Sequence, residues 1–132
     1  MKSRVRHIDD KDIQKRSNLA KLTMNLFAFW SLSTTQQLTL LGMSPSSRVL
    51  LTKYRNGEPL PMSRDVRDRV GWLLSVHKAL ALLYPKNEEL RAGWVKMKNE
   101  VFGGKTPLEV MIAEGLIGIA RVSRYLDCQR GL

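Results

Sequence analysis

The chain has 132 residues, 43% hydrophobic and 26% charged, a composition that folds without disulfide staples as one domain or as two small helical lobes sharing a core. Lys and Arg total 22 against 12 Asp and Glu, a net charge of +10, which points to a polyanionic partner such as nucleic acid or an anionic membrane surface. A single cysteine, Cys128, and two distant histidines, His7 and His77, exclude an internal disulfide and a multi-cysteine zinc site, and no apolar run approaches the roughly 20 residues that span a bilayer.

Residues 1–18 mix Lys2, Arg4, Arg6, Lys11, Lys15 and Arg16 with Asp9, Asp10 and Asp12, with few apolar residues and no clear period. They read as a mobile basic tail or a helix that forms only on a partner, with a phosphate-contacting arm as the functional alternative. The first residues lack the apolar stretch of a signal peptide, so a soluble cytoplasmic protein is expected. From Leu19 the pattern turns helical: Leu19, Leu22, Leu26, Phe29 and Trp30 keep the three-and-four spacing of one helix face. Thr34 can cap the next helix, with Gln37 reaching back in a capping box. Leu38 and Leu41 would face inward and Gly42 would stop the helix. Ser44 suits an N-cap and Pro45 a first helical position, so a helix is predicted over residues 45–55, ended by Asn56 and Gly57.

Two short helices around a Gly turn, the second rich in Ser and Arg, have the outline of a helix-turn-helix. A plain solvated helix is the alternative. At 100° per residue, Val49, Leu50, Lys53 and Tyr54 fall on one side with Ser46, while Ser47, Arg48, Leu51, Thr52 and Arg55 fall on the other. The second side suits a DNA major groove. Arg48 or Arg55 can grip a guanine edge, worth about 1–3 kcal/mol of discrimination, and Leu51 can meet a thymine methyl. Ser44, Ser46, Ser47, Thr52, Gln36 and Gln37 can bind phosphate or bases.

Pro59 and Pro61 make a loop. Ser63 caps a long helix to about Tyr84, with an apolar stripe of Val66, Val70, Leu73, Leu74, Leu80, Leu83 and Tyr84. His77 falls on its buried side and reads as a satisfied core histidine. Pro85 stops the helix, and Asn87 caps the next, whose apolar side is Leu90, Trp94 and Met97. Residues 99–105 form a loop anchored by Phe102. Thr106, Pro107 and Glu109 open a short helix that ends at Gly115, and a last helix covers residues 117–129. An all-α fold follows, with residues 1–18 as tail, 19–84 as a helix-turn-helix bundle and 85–132 as a C-terminal helical lobe. The Gly-Lys-Thr of residues 104–106 lacks the first glycine and preceding strand of a phosphate loop. No catalytic arrangement, metal cluster or cofactor site is indicated.

The run Phe102-Gly103-Gly104-Lys105-Thr106-Pro107-Leu108-Glu109, then Met111, Gly115, Val122, Tyr125-Leu126-Asp127, Gln129-Arg130-Gly131, resembles the toxin-binding domain of Xre/MbcA/ParS-type antitoxins. Upstream, Trp30-Ser31-Leu32-Ser33, Leu40-Leu41-Gly42, Arg69-Val70, Trp72-Leu73-Leu74 and Lys78-Ala79-Leu80 fit the same family. The resemblance implies a non-enzymatic antitoxin paired with a RES-domain toxin that degrades NAD. Its C-terminal end would block the toxin's active site. Its helix-turn-helix would repress its own operon by binding operator DNA, as a homodimer and within a larger toxin–antitoxin assembly. Tyr125, Leu126, Arg130, Gly131 and Leu132 are the expected toxin contacts. Phe102, Gly103, Gly104, Pro107 and Gly115 are expected to hold backbone shape. A stand-alone helix-turn-helix regulator, its C-terminal lobe serving only to dimerise, is the competing expectation.

Overall fold

The structure, a computed structural model, describes residues 2–132, with side-chain surroundings described from Asp9 onward. Lys2, Arg4 and Arg6, part of the expected phosphate-contacting arm, have side chains outside the described residues. Seven α-helices occur among the described residues: α1 Lys2–Phe29, α2 Thr34–Leu40, α3 Arg48–Arg55, α4 Arg64–Leu83, α5 Glu88–Gly93, α6 Pro107–Glu114 and α7 Leu116–Gln129. Single 3-10 turns cover Pro45–Ser47, Trp94–Lys96 and Glu100–Phe102. The one β pairing among the described residues is the Asn99–Lys105 bridge. The all-α expectation holds.

The expected tail is helical instead. No Gly or Pro occurs before Gly42, so nothing interrupts α1, even though apolar periodicity begins only at Leu19. Its middle is fastened by local pairs: Arg16 to Asp12 at 2.9 Å and Gln14 Nε2 to Asn18 Oδ1 at 3.0 Å. Arg16 Nη1 also donates to the Leu60 carbonyl at 2.7 Å, tying α1 to the loop before α4. Further along, Ala20, Thr23, Met24, Leu26, Phe27 and Trp30 are buried, whereas Leu22, expected inward, is exposed. The Thr23 hydroxyl turns back to the Leu19 carbonyl at 2.7 Å, which lets a polar residue sit in the core.

The N-cap of α2 lies one residue earlier than expected. Ser33 has extended backbone and accepts from Gln36 N at 3.1 Å, while Gln36 Oε1 accepts from Ser33 N at 2.9 Å. That capping box satisfies two backbone donors reciprocally. The other caps fall where expected, at Ser44, Ser63, Asn87 and Thr106.

Helix α4 is the spine, packing on α1 at one flank and along α7 on another. Its buried residues Val66, Val70, Leu73, Val76, Ala79 and Leu80 follow one stripe. Near its start, Arg69 pairs with Asp65 at 2.9 Å and donates to the Thr39 and Leu40 carbonyls, each at 3.4 Å. The guanidinium thus reaches the last carbonyls of α2. Gly42, at φ +71°, leaves it room: a Cβ there would stand 2.9 Å from Arg69 Cζ. Met97, expected on an apolar side with Leu90 and Trp94, is exposed, because α5 stops at Gly93 and a 3-10 turn redirects the chain. Buried apolar side chains from Ala20 to Leu126 form one continuous cluster.

Candidate functional site

Two surfaces carry the predicted site residues. The first is built on α2, the Pro45–Ser47 turn and α3. Ser44 accepts from Ser46 N at 3.2 Å, and the two hydroxyl oxygens lie 2.8 Å apart, so both help open α3. Leu51 and Tyr54 point inward at 2% and 4% exposure, with Leu50 half-buried beside them. Burial, and then the Glu58 carboxylate, pushes the Tyr54 phenol above its ordinary range. The outward face is Arg48, Val49, Thr52, Lys53 and Arg55. Arg55 Nη2 donates to Thr52 Oγ1 at 3.2 Å. An open depression of about 260 Å³ is lined by Thr34, Arg48, Val49, Leu51, Thr52 and Arg55.

The sequence that builds this side is one-signed over a long stretch, with Glu58 directly after it. Residues 13–57 contain no Asp or Glu, but six cations: Lys15, Arg16, Lys21, Arg48, Lys53 and Arg55. Lys21 of α1 lies across the end of α3, since a Cβ on Gly57 would stand 2.9 Å from its Cε. Cations of two helices therefore adjoin, the arrangement that concentrates a polyanion at a surface.

The second surface is built on α7. Tyr125 is half-buried, stacked on Trp94 at 6.3 Å and edge-on to Phe102 at 5.4 Å. Phe102 is itself buried in the loop that Asn99 and Lys105 close. On the outer side, Ile117, Arg121, Arg124 and Cys128 stand exposed at helical spacing. Arg121 pairs with Glu114 at 2.8 Å and lies over the Phe102 ring at 5.4 Å. Arg124 lies over the Trp72 ring of α4 at 5.7 Å. After α7 the chain folds back: Gly131 N donates to Cys128 O at 3.1 Å and Leu132 N to Asp127 O at 3.0 Å. Arg130 is held to Asp127 at 3.0 Å.

The model of the family described as "Antitoxin Xre/MbcA/ParS C-terminal toxin-binding domain" matches residues 78–131. The chain is also 35% identical over 121 residues to "Uncharacterized protein y4oB" of Sinorhizobium fredii (strain NBRC 101917 / NGR234), covering 87% of this chain and 91% of that relative. This chain belongs to the Xre/MbcA/ParS antitoxin family. It is an antitoxin of a toxin–antitoxin system, and its partner is a protein toxin.

In this antitoxin the toxin-binding domain comprises the end of α4 and everything through α7, so the spine helix links it to α1. Of the residues expected at the toxin, Tyr125, Arg130, Gly131 and Leu132 reach the surface to differing degrees, whereas Leu126 does not. At 1% exposure Leu126 is a core residue, on a helix that packs against both α4 and α6. Phe102 and Pro107 are buried, while Gly103 and Gly104 form an exposed left-handed turn. Gly115 turns the chain from α6 into α7.

On α3, Leu51 likewise belongs to the core rather than to an outward DNA-reading face, because Leu51 and Tyr54, three residues apart, both anchor the helix. Gln37 is buried at 9% and donates its Nε2 to the Leu32 carbonyl at 3.0 Å, which makes it a structural brace. Gln36 is occupied in the capping box. Sequence reasoning missed Val49 and Lys53 on the outward face of α3, and Arg121 and Arg124 on that of α7. The signal for the first pair was available: choosing Leu51 and Tyr54 as anchors rotates the wheel to expose them.

His77 also departs from expectation. It packs edge-on to Phe29 at 5.6 Å, but its Nδ1 is buried without a hydrogen-bond partner. Burial, and then the Arg91 cation, lowers its pKa. Among the described residues no group of His, Cys, Asp or Glu is arranged to hold a metal, and no helix is long and apolar enough to cross a membrane.

Proposed function

We propose that this antitoxin neutralises a RES-domain, NAD-degrading toxin by blocking its active-site entrance with the end of α7 and residues 130–132, and that it represses its own operon through α3. It acts as an inhibitor without catalysis, in the cytoplasm where NAD and promoter are both found, and as a homodimer on operator DNA. The match of residues 78–131 to the toxin-binding domain carries the inhibitory half. Support for blockage comes from the last turn of α7, where Arg130, Gly131 and Leu132 are fixed against the helix rather than trailing from it. A pre-ordered plug loses less conformational entropy when it binds.

The acid-free stretch over residues 13–57 supports the DNA-binding half. Arg48, Thr52 and Arg55, joined by Lys53, form the reading face, and Ser44, Ser46, Ser47 and Gln36 lie along its edge. Leu51 and Gln37 support that face from within.

Co-expression with the RES-domain toxin tests the inhibitory role, with cellular NAD as the readout. The full chain should preserve NAD. A chain lacking residues 130–132 should still co-purify with the toxin but lose protection. Equal protection by the truncated chain would remove these residues from the blocking role. A full chain that never binds the RES-domain toxin would remove that toxin class from the proposal and leave the partner toxin to be sought elsewhere.

A further inference from the structure

The outer face of α7 takes no part in the core. Ile117, Arg121, Arg124 and Cys128 recur at intervals of four, three and four residues, which sets them in one exposed row. Two of the four are arginines, and each is held over an aromatic ring supplied by another segment: Arg121 over Phe102 at 5.4 Å and Arg124 over Trp72 at 5.7 Å. A guanidinium stacked on a ring keeps its edge donors directed outward. Glu114 holds Arg121 at 2.8 Å, while Arg124 has no carboxylate within 4.0 Å among the described residues. Ile117, 75% exposed, starts the row with an apolar contact.

We infer that this row is an electrostatic docking face for an acidic patch on the toxin, distinct from the blocking end of the helix. Arg124 supplies the leading cation and Trp72 its platform. The occupant is the toxin because α7 lies within residues 78–131, the toxin-binding segment. The patch is acidic because stacked guanidinium groups present donors that carboxylates accept in pairs. Trp72 lies outside the matched segment, so the docking surface extends onto α4. A face of this kind governs how fast partners meet, whereas the plug governs whether the active site is closed.

The inference rests on the RES-domain assignment for its probe, a catalytically inactive RES-domain toxin from the same operon. Association of full-length antitoxin with that toxin is followed by stopped-flow across a range of salt concentrations. The wild type should associate more slowly as salt rises. Arg121→Glu with Arg124→Glu should lower the association rate by about tenfold or more and flatten the salt dependence. Arg124→Gln, at an exposed position that tolerates the change, should do so in part, and its melting curve checks folding.

Unchanged rates and salt dependence in the charge variants would overturn the docking face while leaving the antitoxin assignment intact. Loss of promoter binding by those variants, with toxin association preserved, would overturn it in favour of a DNA contact. If the wild type fails to bind the RES-domain toxin, the proposed function fails and this inference fails with it.

Discussion

Lys96 Nζ donates to the carbonyl oxygen of Ser31 at 2.7 Å, across 65 residues of chain. Ser31 has φ +54°, the only non-glycine with positive φ among the described residues. Around it, Ser31 N donates to Ala28 O and Leu32 N to Phe27 O, both at 3.0 Å. This is the reversal that glycine usually provides at the end of a helix. The lysine reaches from the 3-10 turn after α5 and steadies a strained turn at the end of α1.

Replacing Ser31 should reveal that strain. A side chain in the left-handed region costs about 1–2 kcal/mol. Ser31→Gly removes this, offset by about 0.5–1 kcal/mol from the greater freedom of glycine in the unfolded chain. A small net gain is expected, whereas Ser31→Val should lose stability. Lys96→Met, which removes the donor, should cost about 1 kcal/mol. Urea denaturation of the three variants decides; a Ser31→Gly protein weaker than wild type would contradict the assignment of strain.

Two glycines should respond oppositely to alanine. At Gly118, where α7 crosses α6, a Cβ would stand 2.5 Å from the Val110 carbonyl oxygen and 2.7 Å from Glu114 Cβ. Backbone cannot give way there cheaply, so Gly118→Ala should destabilise by about 1–3 kcal/mol. At Gly71, inside α4, a Cβ meets nothing within 4 Å. Gly71→Ala should stabilise by about 0.5–1 kcal/mol through helix propensity. Paired thermal melts make the comparison.

Helix ends were the most legible part of the sequence, because a cap is a local event. Ser44, Ser63, Asn87 and Thr106 each act within three residues of themselves, so no tertiary information was needed. Which side of a helix turns inward was less legible. Leu51, Leu126 and Gln37 were placed at surfaces, yet all are buried, because α3, α7 and α2 each pack against more than one other element. The first half of α1 was read as a tail for the converse reason: it is helical without an apolar stripe, and periodicity registers burial rather than helix. Family membership was legible because the Phe102–Gly103–Gly104 turn and the Thr106–Pro107 start are distinctive local shapes.

Stability should fall on mild acidification through His77. Its pKa is lowered by burial and then by the Arg91 cation. Above the ordinary imidazole value of about 6.5, both folded and unfolded chains carry it neutral, and it adds no pH dependence. As pH drops through that value the unfolded chain takes up a proton first, so unfolding becomes easier until the folded imidazole titrates too. Urea midpoints measured on either side of about pH 6.5 should differ for the wild type. They should differ less for His77→Gln. An equal pH response in both proteins would assign the effect to other groups.

Substitutions on α3 should separate reading from support. Arg48, Lys53 and Arg55 are exposed, so alanine at any of them leaves the core intact. Each should weaken binding to a promoter fragment. A residue that contacts a base edge loses about 1–3 kcal/mol and relaxes preference at one position, while a phosphate contact lowers affinity for all sequences and reduces the salt slope by about one. Lys21→Ala should behave in the second way, because its side chain lies across the end of α3. Leu51→Ala, by contrast, opens a cavity beneath the helix and should cost about 2–5 kcal/mol of stability. At a temperature where that variant remains folded, its promoter affinity should stay within a few-fold of wild type. Fluorescence anisotropy over a salt series, with melting curves for every variant, checks both halves. Full binding by Arg48→Ala, Lys53→Ala and Arg55→Ala alike would take α3 out of the DNA contact and leave the basic surface of α1 as the place to look next.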